Sequence, residues 1–445
     1  MALKRRDFIR SSALAGAGIG LSALNIPLFG KNAPNEKLVV GVMGTNSRGG
    51  HLAGVLAGMD GVEVGYICDV EEKALAKGVK AVTGKGGKTP KTFKDVRLLL
   101  EEKALDALVI AAPDHWHAPA AIMACQAGKH VYVEKPCSQN PFEGELLIEA
   151  ARKYNKLVQM GNQRRSWDKI TEAIRLVHEG IIGKAYFATG WYANNRGPIG
   201  FGKEVPPPAN LDWDLWQGPA PRTAYRDNLV HYNWHWFWHW GTGEACNNGT
   251  HEIDCMRWAL DVDYPTKVNS SGGRYQYRGQ DDWETPDTQV ISFEFGEEKS
   301  LTWEGRSCNN FPEQGSGRGF IVYGEKGTLV TDGGNSYKFI DPKNNVIKEK
   351  KSTDQADSTN VVSPGGSGLD AVHLDNFLES IRGNAKLTSD IEEGHKSVLL
   401  CHLGNISQRV GRTLHVDPSN GHIQNDREAM KLWKRAYQKG WTPQI

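Results

Sequence analysis

The sequence has few cysteines, and none of them are paired at metal-binding spacing. The 445 residues include seven cysteines that occur singly, and no Cys-x-x-Cys motif is present. This pattern argues against a disulfide framework or a zinc site. We therefore expect the cysteines to be small side chains of the core.

Strong charge and long apolar runs are also missing. The formal net charge is +1, and no basic run follows the first residues, so nucleic acid is not an expected partner. The apolar stretch from Ala13 to Leu24 is too short and too rich in glycine to span a bilayer. Glycine (50) and tryptophan (14) are abundant instead, which predicts many tight turns and an aromatic-rich site or interface. The length predicts two domains.

The amino terminus resembles a twin-arginine export signal. Arg5 and Arg6 are followed by Phe8 and then by the weakly apolar stretch. No cysteine follows that would indicate a lipoprotein, and no clean Ala-x-Ala site is present. We expect residues 1–33 to be a signal and linker and the twin-arginine translocase to be a partner during export. The mature chain is then expected in the periplasm or cell envelope.

A glycine-rich dinucleotide turn follows the first predicted strand, Leu38 to Met43. The six residues of this turn are Gly44, Thr45, Asn46, Ser47, Arg48 and Gly49. They fit the pattern G-x-G-x-x-G with asparagine at the second glycine, and asparagine tolerates a left-handed backbone better than most residues. Asp69 ends a second strand, Val62 to Cys68, and lies 20 residues after Gly49. Its carboxylate would accept hydrogen bonds from ribose hydroxyls and repel a ribose phosphate, which favours NAD over NADP.

Two further strands are each followed by polar residues. Ala107 to Ala111 precedes Pro113, Asp114, Trp116 and His117, and a helix is predicted from Ala118 to Ala127. Alternating strands and helices predict a parallel sheet. The histidines of this turn could bind a metal, but their spacing suits zinc poorly and favours a role at the nucleotide edge.

The strand Val131 to Val133 delivers Glu134 and Lys135 to the carboxyl end of the sheet, where ligands bind in open α/β folds. The pKa of a lysine held in such a crevice can move far enough for acid–base chemistry. A lone Glu-Lys-Pro would more simply be a surface turn. Its place in the order of motifs favours a site.

In this order, the turn at Gly44, Asp69, Ala112-Pro113 with His117, and Glu134-Lys135-Pro136 resemble the Gfo/Idh/MocA oxidoreductases. The resemblance implies an α/β fold: a Rossmann domain with a parallel sheet, then an α+β domain with a large open, mainly antiparallel sheet. We expect the Rossmann domain at 36–160, the α+β domain at 161–365, and C-terminal helices at 366–445 that pack back on the Rossmann domain. The resemblance also implies that Lys135 touches both the substrate hydroxyl and the cofactor ribose, and that the second sheet often mediates oligomerisation. A homodimer or homotetramer is the expected assembly.

The loop after the strand Val158 to Gly161 faces the nicotinamide and substrate in similar proteins. This implies that Asn162 and Arg164 contact substrate and that Gln163 contacts cofactor, whereas Arg165 is expected to be an ordinary surface cation.

The segment from His231 to Trp240 has tryptophan at every second position, which suits an extended segment. His235 and His239 could bind a metal, but no carboxylate stands at matching spacing, and we predict no metal. Trp236 with His235 and His239 could instead hold a sugar ring, with a packed aromatic core or a subunit contact as the alternative.

A second match to the family begins at Asn247, where the family pattern is Asp-x-Gly-x-His-x-x-Asp. By this resemblance His251 is the acid–base histidine, and Asp254 matches the final acid, which could contact substrate, orient His251 or cap the local backbone. Helical spacing would put Asn247 and His251 on one face. Asparagine can hold a hydroxyl but cannot take a proton, so Asn247 leaves the proton to His251 or Lys135.

Alternating strands are expected at Thr288 to Phe295, Leu301 to Glu304, Phe320 to Tyr323 and Thr328 to Thr331. A polar, mobile stretch is expected from Asp341 to Gly368. Helices are expected at His373 to Ile381 and His395 to Val410. In relatives a residue near His373 reaches the active site.

These observations favour an NAD-dependent oxidoreductase that acts on a sugar, glycoside or cyclitol. Export implies a tightly bound cofactor that is recycled in the site, because little free NAD is expected outside the cytoplasm. One alternative is an NAD-dependent glycosidase or lyase that oxidises the ring transiently. A further alternative is a sugar-binding protein with no catalytic activity.

Overall fold

The computed structural model describes residues 37–352 and 367–445. The predicted export signal and part of the polar stretch before Gly368 lie outside the described residues. The helices are α1 (Arg48–Ala57), α2 (Glu72–Thr83), α3 (Val96–Leu100), α4 (Asp114–Gln126), α5 (Pro141–Lys153), α6 (Asp168–His178), α7 (Trp213–Gln217), α8 (Thr250–Leu260), α9 (Ser367–Ile381), α10 (Ile391–Val410) and α11 (Arg427–Met430). Short 3-10 helices span Gln163–Ser166 and Asn233–Trp236, and a π-helix spans Ala245–Gly249.

The strands form two sheets. They are β1 (Leu38–Met43), β2 (Val62–Cys68), β3 (Lys91–Phe93), β4 (Ala107–Ile110), β5 (His130–Val133), β6 (Val158–Met160), β7 (Ala185–Ala193), β8 (Lys267–Gly273), β9 (Thr288–Phe295), β10 (Lys299–Arg306), β11 (Arg318–Gly324), β12 (Gly327–Thr331), β13 (Tyr337–Ile340), β14 (Val346–Lys350) and β15 (Leu414–His415).

The first sheet is parallel and has the Rossmann order β3-β2-β1-β4-β5-β6. The apolar residues of β1, β4 and β5 are almost fully buried, because helices cover both faces of such a sheet. The chain order reverses between β1 and β4, so the carboxyl ends of these strands open a crevice. The predicted Rossmann fold is confirmed.

Helix α4 begins at Asp114, four residues earlier than predicted, so the His-Trp-His motif lies in its first turns. Asp114 suits this position because a carboxylate interacts favourably with the positive end of the helix dipole. Pro119 then lies inside the helix and cannot donate to the carbonyl of His115. Arg435 donates to that carbonyl instead, at 2.7 Å, so the carbonyl stays satisfied.

The second sheet has nine strands in the order β14-β13-β12-β11-β7-β10-β9-β8-β15. Strand β7 pairs with β10 in parallel, and every other pair is antiparallel. The predicted mainly antiparallel sheet is therefore confirmed.

The prediction of a mobile stretch from Asp341 is wrong for Val346–Lys350, which forms the edge strand β14. Its lysines are typical of an exposed edge, and Lys348 and Lys350 both pair with Glu172 of α6.

The last two long helices connect the two sheets. Leu374, Phe377 and Leu378 of α9 share a buried cluster with residues of β1 and α1. Val398 of α10 packs with the first sheet, while Leu399 and its neighbours pack with the second. No helix in the described residues is both long and apolar enough to cross a membrane.

Candidate active site

A cavity of about 330 Å³ lies between the carboxyl edge of the first sheet and the second domain. One wall comes from the Rossmann domain and carries the glycine-rich turn, Asp69, and the ends of β4 and β5. The second wall comes from the second domain. The predicted residues that line the cavity are Gly44, Asn46, Ser47, Arg48, Asp69, Pro113, Asp114, Trp116, His117, Glu134, Lys135, Gln163, Arg164, His235, Asn247 and His251.

The glycine-rich turn packs closely against the end of β4, and neither Gly44 nor Gly49 has room for a side chain. Gly44 has φ +83°, and a Cβ there would lie 2.6 Å from the backbone nitrogen of Ala112. A Cβ on Gly49 would lie 2.1 Å from the Gly44 carbonyl oxygen. Thr45 and Gly49 do not line the cavity, and they act by shaping this turn.

Asp69 ties the turn to the end of β2. Its carboxylate accepts hydrogen bonds from the backbone nitrogens of Thr45 at 2.7 Å and Glu71 at 3.0 Å. Burial raises the pKa of Asp69, although these two hydrogen bonds oppose the shift. The tight turn, the start of α1 and a carboxylate at the end of β2 are the features that hold a dinucleotide in this fold, so the residues present fit NAD.

Lys135 leaves the end of β5 and reaches across the cavity to the second wall. Its Nζ donates to the backbone oxygen of Asn247 at 2.6 Å and to Oδ1 of the same residue at 3.2 Å. Burial lowers the pKa of Lys135, against the opposing attraction of Glu134 and Asp114. The ammonium therefore releases a proton more readily than a surface lysine does.

The amide of Asn247 is oriented by a buried carboxylate. Its Nδ2 donates to Oε1 of Glu244 at 3.3 Å, which turns Oδ1 toward Lys135. Glu244 also accepts from the Asn248 amide and from Arg196. Asparagine fits at position 247 because an aspartate there would face the Glu244 carboxylate.

His251 lies on the first turn of α8 and faces the cavity. Burial and the nearby charges of Arg318 and Arg164 hold the pKa of His251 well below that of ordinary imidazole. No described residue forms a hydrogen bond with its ring. At neutral pH His251 is thus an uncharged imidazole with a free acceptor nitrogen. The π-helix before α8 changes the spacing that we had assumed between Asn247 and His251, yet both still line one cavity.

Glu134 anchors a network at the floor of the cavity. It accepts hydrogen bonds from Arg48 Nε at 2.8 Å and from Gln163 Nε2 at 3.2 Å. Arg48 also forms a two-pronged ion pair with Asp370, at 2.7 and 2.8 Å. Asp370 lines the cavity and lies three residues before His373, where the family resemblance implied such a residue.

Three residues at the start of α4 line the cavity, but their side chains already form hydrogen bonds within the protein. Asp114 accepts a hydrogen bond of 2.6 Å from Thr242, and Trp116 donates to the carbonyl of Trp216 at 3.0 Å. The two ring nitrogens of His117 lie 2.6 Å from the carbonyl oxygens of Pro136 and Ala112. His117 thereby connects the chain after β5 to the end of β4.

Two adjacent arginines differ in what they face. Arg164 lines the cavity and donates to Glu252 at 2.7 Å. Arg165 forms a bidentate ion pair with Asp254, which also accepts from Ser397 at 2.6 Å. The interpretation of Arg165 as a surface cation is wrong, because its side chain is only 6 % exposed. Asp254 does not line the cavity, so the structure does not place it against a substrate there.

The aromatic segment lines the cavity mainly through residues that were not among the candidates, namely His231, Tyr232 and Trp234. It is not extended, because residues 233–236 form a 3-10 helix. Only His235 of the three candidates lines the cavity. Trp236 stacks on Trp283 with ring centroids 4.0 Å apart and borders a separate cleft, and His239 contacts the carbonyl oxygen of Pro221.

Asn162 is 1 % exposed and does not line the cavity. Its side-chain amide has no hydrogen-bond partner in the part of the chain that the structure describes. Within residues 37–352 and 367–445, no three histidine, cysteine or acidic side chains converge as metal ligands.

Part of the long segment after β7 covers the Asp69 end of the cavity. We call residues 208–217 the strap. The backbone nitrogen of Glu72 donates to the carbonyl of Asn210, and that of Asp212 donates to the carbonyl of Val70, both at 3.0 Å. The Asn210 amide also donates to Glu71 at 2.8 Å. These bonds fix the strap to the chain after β2, and Leu211, Leu215 and Trp216 of the strap line the cavity.

Two family comparisons match this architecture. Residues 38–162 match the Gfo/Idh/MocA oxidoreductase family, NAD-binding Rossmann fold, and residues 209–416 match the C-terminal alpha/beta domain of the same family. The chain belongs to this oxidoreductase family. Its cofactor is therefore NAD, in agreement with the fit of the turn and Asp69.

A curated relative is a glycosyl hydrolase family 109 protein of Saccharopolyspora erythraea. It is 29 % identical over 219 residues, which cover 45 % of this chain and 48 % of the relative. The match thus spans about half of the relative's length.

Two solved structures share the fold. The WlbA dehydrogenase from Bordetella pertussis, in complex with NADH and UDP-GlcNAcA, is 20 % identical, with 86 % of this chain and 99 % of that chain covered and a TM-score of 0.63. The aldose-aldose oxidoreductase from Caulobacter crescentus is 16 % identical, with 86 % and 100 % covered and a TM-score of 0.64.

Sequence reasoning missed most of the second wall. Arg318 lines the cavity from the start of β11, and Glu252 pairs with it from α8. The strap belongs to the stretch Asn194 to Arg226, which is rich in proline, glycine and tryptophan and predicts a long ordered excursion around the site. The pattern does not indicate which of its residues reach the cavity. An arginine at the start of a strand and a segment with little periodicity carry no local signal of a site, because partners distant in sequence bring them to the cavity.

Proposed function

We propose that this protein is an exported oxidoreductase that transfers a hydride between a sugar, glycoside or cyclitol hydroxyl and a tightly bound NAD. One observation carries the proposal. Lys135, held by Asn247, and the uncharged His251 meet in a cavity whose other end has the glycine-rich turn and Asp69.

In this proposal the substrate hydroxyl lies between Lys135 and His251. His251 has a free acceptor nitrogen and takes the hydroxyl proton, while the Lys135 ammonium stabilises the developing negative charge on the oxygen. Asn247 fixes the direction of the ammonium, so little rearrangement is needed during the reaction. The bound nicotinamide supplies the hydride acceptor.

The strap supports the retention of the cofactor. It covers the end of the cavity where Asp69 would hold the adenosine ribose, and hydrogen bonds fix it to the chain after β2. A nucleotide under this strap leaves only when the strap opens. Retention suits an exported enzyme, because a protein that is exported folded can carry its cofactor with it.

Export and assembly are part of the same proposal. The Arg-Arg-x-Phe pattern near the amino terminus supports passage through the twin-arginine translocase to the periplasm or envelope. One face of the nine-stranded sheet carries Val290, which is 42 % exposed, and the half-buried, stacked rings of Phe187 and Tyr323, and this apolar surface supports a homodimer or homotetramer.

The proposal is tested by purifying the exported protein, dialysing it extensively and measuring the nicotinamide released on denaturation. About one nucleotide per chain is expected. No nucleotide after export would contradict retention, and binding of sugars without any nucleotide would favour a non-catalytic sugar-binding protein.

A second candidate is an NAD-dependent glycosidase or lyase that oxidises the ring transiently. The relatives named glycosyl hydrolase family 109 proteins favour it. The products separate the two functions. Glycosides incubated with the protein accumulate a keto-sugar if oxidation is the net reaction, whereas bond cleavage without a keto-sugar indicates the redox-neutral reaction.

A further inference from the structure

The substrate end of the cavity contains two arginines that share one carboxylate oxygen. Arg164 Nη1 lies 2.7 Å from Oε1 of Glu252, and Arg318 Nη2 lies 2.9 Å from the same oxygen. Both guanidinium groups line the cavity, and their side chains are only 5 % and 7 % exposed. Glu252 itself is fully buried behind them.

One carboxylate cannot balance two arginines. Lys135 also lines the cavity, but Glu134 and Asp114 attract it, so the unmatched positive charge belongs to the two arginines. Arg48, another cation of the cavity, is matched by Asp370 and Glu134. Buried charge of one sign is costly unless an ion of opposite charge accompanies it.

The guanidinium of Arg318 also keeps a free donor. Its Nε and Nη2 contact Glu252 and the carbonyl of Asn248, but Nη1 donates to no residue in the described ranges. A planar guanidinium is well suited to a carboxylate, which it can bind through two parallel hydrogen bonds. The phosphates of the cofactor are a poor match for this position, because the turn at Gly44 and the start of α1 receive them on the opposite wall.

We propose that Arg318, with Arg164, forms a subsite for a carboxylate on the sugar substrate. The substrate class would then be uronic acids or their glycosides. The inference rests on the proposed function for its sugar ring, but the anion subsite is defined by the arginines alone.

The test measures binding by calorimetry, which needs no turnover, for methyl glucuronide, its uncharged methyl ester and methyl glucoside. The free carboxylate is expected to bind about 10–100-fold more tightly than the other two, the range for a hydrogen bond to a charged group. The preference should shrink as salt is raised. Equal affinity for all three ligands would overturn the proposal. Glucose 6-sulfate is the control for a non-carboxylate anion, and tighter binding of this sulfate than of methyl glucuronide would also overturn the proposal.

The variant Arg318→Met assigns the effect to the subsite. It should remove most of the preference for glucuronide over its methyl ester, and Arg318→Lys should restore only part of it because lysine lacks the planar fork. Full preference in a folded Arg318→Met protein would overturn the assignment. If the variant does not fold, the comparison of acid and ester on the wild-type chain still tests whether the site prefers a carboxylate.

Failure of the proposed function would look different. If no sugar changes the absorbance of the retained nicotinamide but glucuronide still binds more tightly than its ester, the subsite stands and the oxidoreductase activity does not.

Discussion

The two walls of the cavity are built in different ways. The Rossmann wall consists of a backbone turn, a strand-end carboxylate and Lys135, which follow β1, β2 and β5 of one parallel sheet. The second wall consists of a strap, a π-helix and buried ion pairs between segments far apart in the chain. The first wall suits a dinucleotide, which is a ligand common to many enzymes. The second wall carries the features that are particular to this protein.

Within the second domain, ion pairs at the cavity can also be distinguished from ion pairs that only stabilise the fold. Arg164 and Arg165 are adjacent and pair with Glu252 and Asp254, two residues apart on one helix. Of these four residues, only Arg164 lines the cavity. Variants of the two walls and of the two pairs should therefore affect different quantities.

The largest effect is expected for Lys135→Met on the Rossmann wall. Loss of the ammonium should lower the rate of nicotinamide reduction by about 10³-fold, within the range for a group that stabilises developing negative charge. Stopped-flow absorbance checks the rate, and retained nucleotide is the control for folding. A rate within tenfold of the wild type would contradict the role of Lys135.

Arg165→Met should act on stability. Removing one partner of a buried pair leaves Asp254 charged and unpaired, which costs about 3–5 kcal/mol of unfolding free energy. Urea denaturation checks this loss. The folded fraction should keep the wild-type rate per retained nucleotide. A rate that falls by more than about tenfold in the folded protein would place Arg165 in the site.

His251→Gln should lower the rate by about 10²-fold, since Lys135 remains. In the wild type the rate should stay constant as the pH falls through 6.5, because the pKa of His251 is held well below that value and the ring stays neutral. Protonation at lower pH should then stop the reaction, and this acid limb should disappear in the variant. An acid limb centred near 6.5 would contradict the burial of His251.

Asn210→Ala on the strap should have the smallest effect. The lost hydrogen bond to Glu71 should speed NAD release by about 3–10-fold, the equivalent of a net hydrogen bond. Release into an excess of unlabelled NAD measures it. Asn384→Ala is the matched control, because its amide bonds only Glu379 on the protein surface.

The Rossmann wall could be predicted from sequence because its signals are local. The bounds of β1 and β2 and the positions of Gly44, Asp69 and Lys135 follow from strand patterns and the turns after them. The second wall could not be predicted in the same way. Arg318 and the strap depend on tertiary contacts. Arg165 has the local pattern of a surface residue although it pairs with Asp254 and lies over the ring of Trp258.

The central claim is that one cavity holds a retained nicotinamide on the Rossmann wall and a sugar on the second wall. The most direct measurement is the near-ultraviolet spectrum of the purified, dialysed protein before and after addition of a panel of sugars, uronates and glycosides, with no NAD added. We predict that the band of reduced nicotinamide rises with at least one sugar and falls again with the corresponding keto-sugar. A spectrum that contains nicotinamide but does not respond to any of them, in wild type and Lys135→Met alike, would contradict the claim.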